Sequence, residues 1–330
     1  MIDTTTNTYR KFIESKRPVI YSSGPVVDDA DINPMLFPFQ RVLTRWAVRK
    51  GRCAIFADTG LGKTFIQLEW ARLTGENTLI IAPLSVAKQT VREAVKLGIT
   101  AHYVRSQEEV SGQGIWITNY EMIQHFDANT FGAVVLDESS ILKSFDGTTR
   151  KRLTEQFSHV PYRLCCTATP APNDHIELGN HAEFLGICTQ SEMKSMFFIN
   201  ANKQEIFDIG GVQFQRKGPN AGGTEWRLKH HAEKPFFRWL SQWAMSLTKP
   251  SDLGFDDNGF ILPPLNILPQ FVHVDYQSDT QLLFTSLKGI EGRQQMRRST
   301  IPYRLAALRN TIASDDDDSQ WVIWCGQDAE

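Results

Sequence analysis

The stretch FADTGLGKT, residues 56 to 64, holds residue types that can grip phosphate. Gly60 and Gly62 let the backbone bend until its N–H groups point inward at an anion. Lys63 offers a cation that reaches β- and γ-phosphates, and Thr64 a hydroxyl for Mg2+. Asp58, Thr59 and Leu61 complete the loop. The common pattern G-x-x-x-x-G-K-[ST] has a glycine where this chain has Ala57. Further on, VVLDESS (134 to 140) places Asp137 and Glu138 at the end of an apolar run. Asp137 can hold Mg2+ through water, and Glu138 can polarise an attacking water as a general base. The plainer readings are a glycine turn with an accidental Lys-Thr pair and an exposed acidic turn. They weaken because the loop lies between a strand-like and a helix-like segment, which is the context phosphate binding requires.

Between residues 50 and 185 the runs CAIFAD, TLIIAP, GIWITN, AVVLDE and RLCCTA are short and unbrokenly apolar. Helical periodicity fills most of the intervals: Ile66, Trp70 and Leu73 recur at one spacing, as do Leu178, Ala182 and Leu185. Apolar strands alternating with helices predict an α/β domain with a parallel sheet covered on both faces. Such sheets carry their sites at the carboxyl ends of the strands, so Asp137 falls near the phosphate loop if their strands are neighbours. Residues 186 to 262 break the rhythm with glycine turns and a Trp-rich helix expected near 233 to 247. From LPPL (262 to 265) a second α/β rhythm begins, with strands expected at ILPQFVHVD and QWVIWC and a helix at YRLAALRNTI, where Leu305, Leu308 and Ile312 share a face. SDDDDS (314 to 319) reads as a solvated turn.

The chain has 330 residues, a soft prior for two domains, and 41% of them are hydrophobic, enough for real cores. No apolar run reaches the length of a membrane span, and MIDTTTNTYRKF lacks the apolar stretch of a signal peptide. The expectation is a cytoplasmic protein. The five cysteines form no C-x-x-C pair and read as small buried hydrophobes. The net charge of -2 excludes a general polycation, so any nucleic-acid surface must be local. Residues 214 to 249 hold seven Lys or Arg against two acids, interleaved with aromatics. Phe236, Trp239 and Trp243 lie at helical spacing and read as core, leaving the cations to face DNA.

The alanine-bearing loop A-x-x-G-x-G-K-T resembles motif I of superfamily-two helicases, and other segments fit the same family. TATP (167 to 170) resembles its motif III, which implies that Thr167 and Thr169 couple the nucleotide site to the nucleic-acid groove. LFPFQ resembles the Q motif, which implies that Gln40 pairs with the adenine edge. LIIAPLSV, ITNYEMI and TATPAPNDHIELGNHAEFL resemble the Swi/Snf-like branch of small bacterial or phage type. By this resemblance Ser85, Lys88, Thr118 and Asn119 contact the phosphate backbone of DNA, with Lys143 and Lys151 adding charge. The fold implied is α/β: a RecA-like P-loop domain, a compact linking region and the start of a second RecA-like lobe. The division implied is an N-terminal arm at 1–34, the first lobe at 35–185, the linking region at 186–262 and the incomplete second lobe at 263–330.

The resemblance implies ATP and Mg2+ as cofactors and duplex DNA as partner, with movement along DNA driven by hydrolysis. Two departures stand out. Motif II is D-E-S-S where the branch has D-E-x-H, so Ser140 takes the histidine's place and is left to hydrogen-bond there. No Q-x-x-G-R-x-x-R follows, so the arginine finger is missing and the chain is expected to bind ATP and DNA yet hydrolyse poorly. The rival readings are a DEAD-box-like RNA helicase, a non-motor ATP- and DNA-binding fragment and, more distantly, a P-loop kinase.

Overall fold

The computed structural model describes residues 20–143, 147–200, 205–209, 212–216, 226–261, 264–274, 290–315 and 320–326. Contacts divide the chain into one unit ending at Ile261 and another beginning at Leu262. Most of the proposed N-terminal arm, the glycine-rich residues 218–223, the first half of LPPL, the last residue of ILPQFVHVD and the acidic core of SDDDDS lie outside the described residues.

In the first unit, helix α1 (Pro38–Lys50) starts with proline at its first position and stops at Gly51. Strand β1 (Arg52–Ala57) leads into the glycine loop and helix α2 (Lys63–Thr74). There follow β2 (Thr78–Ala82), α3 (Leu84–Lys96), β3 (Ala101–Tyr103), β4 (Ile115–Asn119), β5 (Ala133–Asp137), α4 (Thr148–Gln156) and β6 (Tyr162–Cys166). Helices α5 (Leu178–Leu185) and α6 (Gln190–Phe197) come next. Beyond them are β7 (Phe198–Asn200), β8 (Glu205–Ile209), β9 (Val212–Arg216), β10 (Trp226–Leu228), α7 (Glu233–Leu240) and β11 (Ala244–Leu247). Seven strands form one sheet in the order β11-β1-β6-β5-β2-β4-β3. All six pairings in it are parallel.

The unbroken apolar strands are explained by burial on both faces. Alternate side chains enter opposite cores, because strand side chains have a period of two. Ile55, Ile80, Val135 and Leu164 meet α1, α2 and α3 on one face. Phe56, Ile81, Leu136 and Cys165 meet α4 to α7 on the other. Cys53, Cys165 and Cys166 are buried and unpaired, as expected, and burial pushes their thiols up. Cys325 departs from that expectation and is exposed.

The Trp-rich segment is not one helix to residue 247. Helix α7 ends at Leu240 and β11 then runs parallel to β1, with Ala54 opposite Ala244 and Ala57 opposite Leu247. The bare outer edge of β1 decides this. Its ladder bonds need a partner, and Ala54 N–H donates to Trp243 O while Asp58 N–H donates to Leu247 O. Trp243 is fully buried beneath the sheet. The smaller pairs are antiparallel, β7 with β10 and β8 with β9.

The second unit contains helices α8 (Ile290–Ser299) and α9 (Ile301–Ala313). Leu305, Leu308 and Ile312 are half-buried along α9. Strands were expected at ILPQFVHVD and QWVIWC, but the described parts of these runs join no ladder. An apolar run becomes a strand only when a neighbour completes its hydrogen bonds. Here Leu265, Leu268, Phe271 and Trp324 stand exposed. Among the described residues no helix is long and apolar enough to cross a membrane.

Candidate nucleotide site

The glycine loop is shaped by local chemistry. Gly60 has φ 86° and Gly62 φ 72°, a region that side chains other than glycine's enter at a cost. At Gly62 a second constraint applies, because an added Cβ would lie 2.3 Å from Gln40 Nε2. Gln40 is buried, with its Oε1 accepting from Phe37 N–H at 2.9 Å and its Nε2 donating to Leu61 O at 3.0 Å. Its amide therefore ties the start of α1 to the loop, and both ends are engaged by protein rather than turned to a base edge. Asp58 accepts from Thr59 N–H at 2.7 Å, and Leu61 is buried. Lys63 Nζ folds back to Ala57 O at 2.9 Å and Asp58 O at 3.2 Å, which holds the ammonium over the loop. Thr64 is half-buried in the first turn of α2, where helix N–H groups and dipole favour an anion.

Asp137 ends β5. The condition that its strand adjoin that of the loop is not met, since β6 lies between β1 and β5. The carboxylate nonetheless faces α2, where Gln67 Nε2 donates to Asp137 Oδ1 at 2.6 Å. Proximity arises across the helix rather than along the sheet. Burial raises the Asp137 carboxyl above its ordinary range; the Gln67 bond and the nearby Lys63 charge pull it down, while Glu138 adds to the rise. Tyr120 donates to Asp137 O at 2.6 Å and thereby fixes the strand end.

Glu138 has φ 50°, a left-handed backbone that is uncommon for a residue with a side chain. No other non-glycine among the described residues has positive φ. Such strain persists where surrounding contacts over-determine it. Thr167 Oγ1 donates to Glu138 Oε2 at 3.1 Å, and Thr169 N–H donates to Thr167 Oγ1 at 3.1 Å. Helix α5 holds the next residues. Ser139 Oγ meets His181 Nε2 at 3.2 Å, and Asn180 Nδ2 donates to Leu142 O at 2.7 Å and Lys143 O at 3.3 Å. Burial lowers the His181 pKa to about 4, so the imidazole is neutral at neutral pH. The hydroxyl that meets a histidine is Ser139's; Ser140 beside it is half-buried.

The sequence thus pointed to Lys63, Thr64, Asp137, Glu138 and Thr167, which the fold gathers at the carboxyl ends of β1, β5 and β6. It did not point to Gln67, Tyr120, Ser139 or His181. Gln67 carried one signal: it is polar on the apolar side of α2, one helical turn beyond Thr64.

The expected DNA contacts divide. Ser85 and Lys88 are exposed in the first turns of α3. Thr118 and Asn119 do not reach the surface, because β4 is buried along its whole length. Thr118 has a hydroxyl without a hydrogen-bond partner, while Asn119 accepts from Tyr103 OH at 2.9 Å and donates to Glu121. Phe236, Trp239 and Trp243 are core, whereas Arg227, Lys234 and Arg238 are exposed, as are Lys143 and Lys151.

A parallel sheet with a glycine loop after one strand and an acidic pair after another defines a RecA-like P-loop domain. Residues 39–201, just under half of the chain, match the model of the SNF2-related domain, which supports a Snf2-like ATPase fold of helicase superfamily two for this segment. The SWI2/SNF2 ATPase core of Sulfolobus solfataricus, solved in complex with dsDNA, is similar in fold, with a TM-score of 0.54 and 19% identity over 71% of this chain and 48% of that one. The UvsW helicase of bacteriophage T4 overlaps more loosely, with a TM-score of 0.37 and 14% identity over 56% of this chain and 66% of that one. This chain spans about half the length of the Sulfolobus structure. No curated protein matches it.

Proposed function

We propose that this chain is the nucleotide-binding part of an ATP-dependent DNA translocase, which couples hydrolysis of Mg-ATP to movement on duplex DNA. The carrying observation is the placement of Lys63, Asp137, Glu138 and Thr167 at the carboxyl ends of the neighbouring strands β1, β6 and β5, with Glu138 at φ 50°. In this reading the loop Asp58–Thr64 surrounds the phosphates and the Lys63 ammonium leaves Ala57 O and Asp58 O for phosphoryl oxygens. Glu138 then accepts a proton from the attacking water while Thr167 keeps its carboxylate aimed. Gln40 positions the loop from behind.

The residues present suit Mg2+. Among the described residues no three His, Cys, Asp or Glu side chains converge, so a cation must come with the nucleotide and rely on few protein oxygens, which is the habit of Mg2+. Thr64 and Asp137 are the hard-oxygen donors available, with the unpartnered Gln67 Oε1 behind them. When bound, Mg2+ would neutralise charge on the β- and γ-phosphoryl oxygens.

Support for DNA as the track comes from the SNF2-related domain, from the dsDNA held by the Sulfolobus core, and from exposed Ser85 and Lys88 at a helix start. Equilibrium binding of a fluorescent ATP analogue, followed by turnover with and without duplex DNA in the protein carrying both lobes, tests the proposal. A chain that bound no nucleotide, or a motor indifferent to DNA, would sink it.

A further inference from the structure

Gln67 is fully buried, yet it is polar and sits inside a helix. Nε2 donates to Asp137 Oδ1 at 2.6 Å, the Cys166 thiol lies against the same amide, and Oε1 accepts from no N–H or O–H group. A buried amide oxygen left unpaired opposes folding, so it calls for an explanation. Its neighbours supply one. Thr64 and Gln67 stand three apart on α2 and therefore share a face, the face that packs toward β5 and Asp137. No Lys or Arg pairs with Asp137 within ion-pair distance among the described residues, so the Gln67 amide is the side-chain donor that orients this carboxylate.

We propose that Gln67 is a positioning residue for the divalent cation of the nucleotide site. Its N–H fixes the Asp137 carboxylate through Oδ1, and its Oε1 accepts a hydrogen bond from water carried by the cation. This inference rests on the nucleotide-site reading above. Gln67 makes no bond to the cation, phosphate or attacking water's oxygen, so it acts by orientation. The Asp137 carboxylate, held by the Gln67 amide and the Glu138 backbone, has its two rotatable bonds fixed before the cation arrives, which raises affinity for the cation.

The test separates metal from nucleotide. Affinity for a fluorescent ADP analogue is measured with EDTA and with Mn2+, and bound Mn2+ is counted by electron paramagnetic resonance in the presence of ADP. Gln67→Met keeps length and bulk without the amide, and Gln67→Leu is the second variant if the first folds poorly by circular dichroism. Loss of such an outer partner lowers metal affinity by about 10- to 100-fold. The expected result is that loss in Mn2+ affinity with ADP affinity in EDTA unchanged. Unchanged Mn2+ affinity overturns the inference. So does an equal fall in both, since Gln67 would then be supporting the fold in general. A wild-type chain that binds ADP but gains nothing from Mn2+ removes the metal reading beneath the inference. One that binds no ADP removes the nucleotide reading itself.

Discussion

Ser139 and His181, far apart in the chain, are joined by a 3.2 Å contact between Oγ and Nε2 directly behind Glu138. Motif II ends in Ser-Ser here, yet a histidine still supports it, delivered by α5 from the segment after TATP. The same imidazole lies edge-on to Phe56 on β1, with ring centroids 5.4 Å apart. One side chain thus touches the strand before the loop and the turn after Asp137.

This contact predicts an acid sensitivity. Burial depresses the folded-state pKa of His181 to about 4 from 6.5, so the unfolded chain binds the extra proton across that window. Stability from this group is full above the unfolded value and is lost as pH falls through the window toward 4, by about 3 kcal/mol. Urea denaturation between pH 7 and 4 should show that loss, and His181→Leu should remove its share of the slope. At pH 7 His181→Leu strands the Ser139 hydroxyl at a cost of roughly 1–3 kcal/mol, most of it recovered by adding Ser139→Ala. Additive costs in the double variant would refute the coupling.

Glu138 and Lys63 should fail in different ways. Glu138→Gln keeps the shape of the turn and is expected to bind ATP normally while turnover disappears. Lys63→Ala is expected to lose nucleotide binding itself. Filter-binding and phosphate-release assays on both variants decide, and similar behaviour in the binding assay would refute the division of roles.

Gly60→Ala and Gly62→Ala share the strain of positive φ, roughly 1–2 kcal/mol. Only Gly62→Ala also drives a methyl group against Gln40 Nε2, so it should cost more. Thermal melts of both variants, with Gln40→Ala added to each, give the comparison. Relief of Gly62→Ala but not Gly60→Ala by Gln40→Ala is the expected pattern.

The two halves of the expected DNA surface should also separate. Lys88→Ala should weaken duplex binding and lower the salt slope by about one if it meets a phosphate. Thr118→Val should leave DNA affinity unchanged, because the hydroxyl is buried, and should stabilise the fold by about 1 kcal/mol, because an unpaired hydroxyl is removed. Fluorescence anisotropy over a salt series measures the first effect, and denaturant midpoints the second.

The phosphate loop and the acidic turn were legible because their requirements are local. Gly60 and Gly62 are needed for a backbone shape, Lys63 and Thr64 for charge and a hydroxyl, and all lie within one turn and the start of one helix. The strands were legible because burial on both faces demands unbroken apolar runs. Thr118 and Asn119 were assigned to DNA by motif resemblance alone, and the covering of β4, which no motif records, leaves both buried. Strand β11 was read as helix because Trp239 and Trp243 fit a helical spacing, while the open edge of β1 that claimed the segment is invisible to periodicity.

By itself, then, the sequence determined which chemistry to look for, since residue types and short spacings match those of a phosphate loop and of an acidic strand end. Only the tertiary structure decided how that chemistry is aimed. Strand order put β6 between the loop and Asp137, and packing brought Gln67 to the carboxylate and His181 beneath the turn. These pairings join residues distant in the chain, and their partners are chosen by which helix covers which strand, a choice no local pattern records.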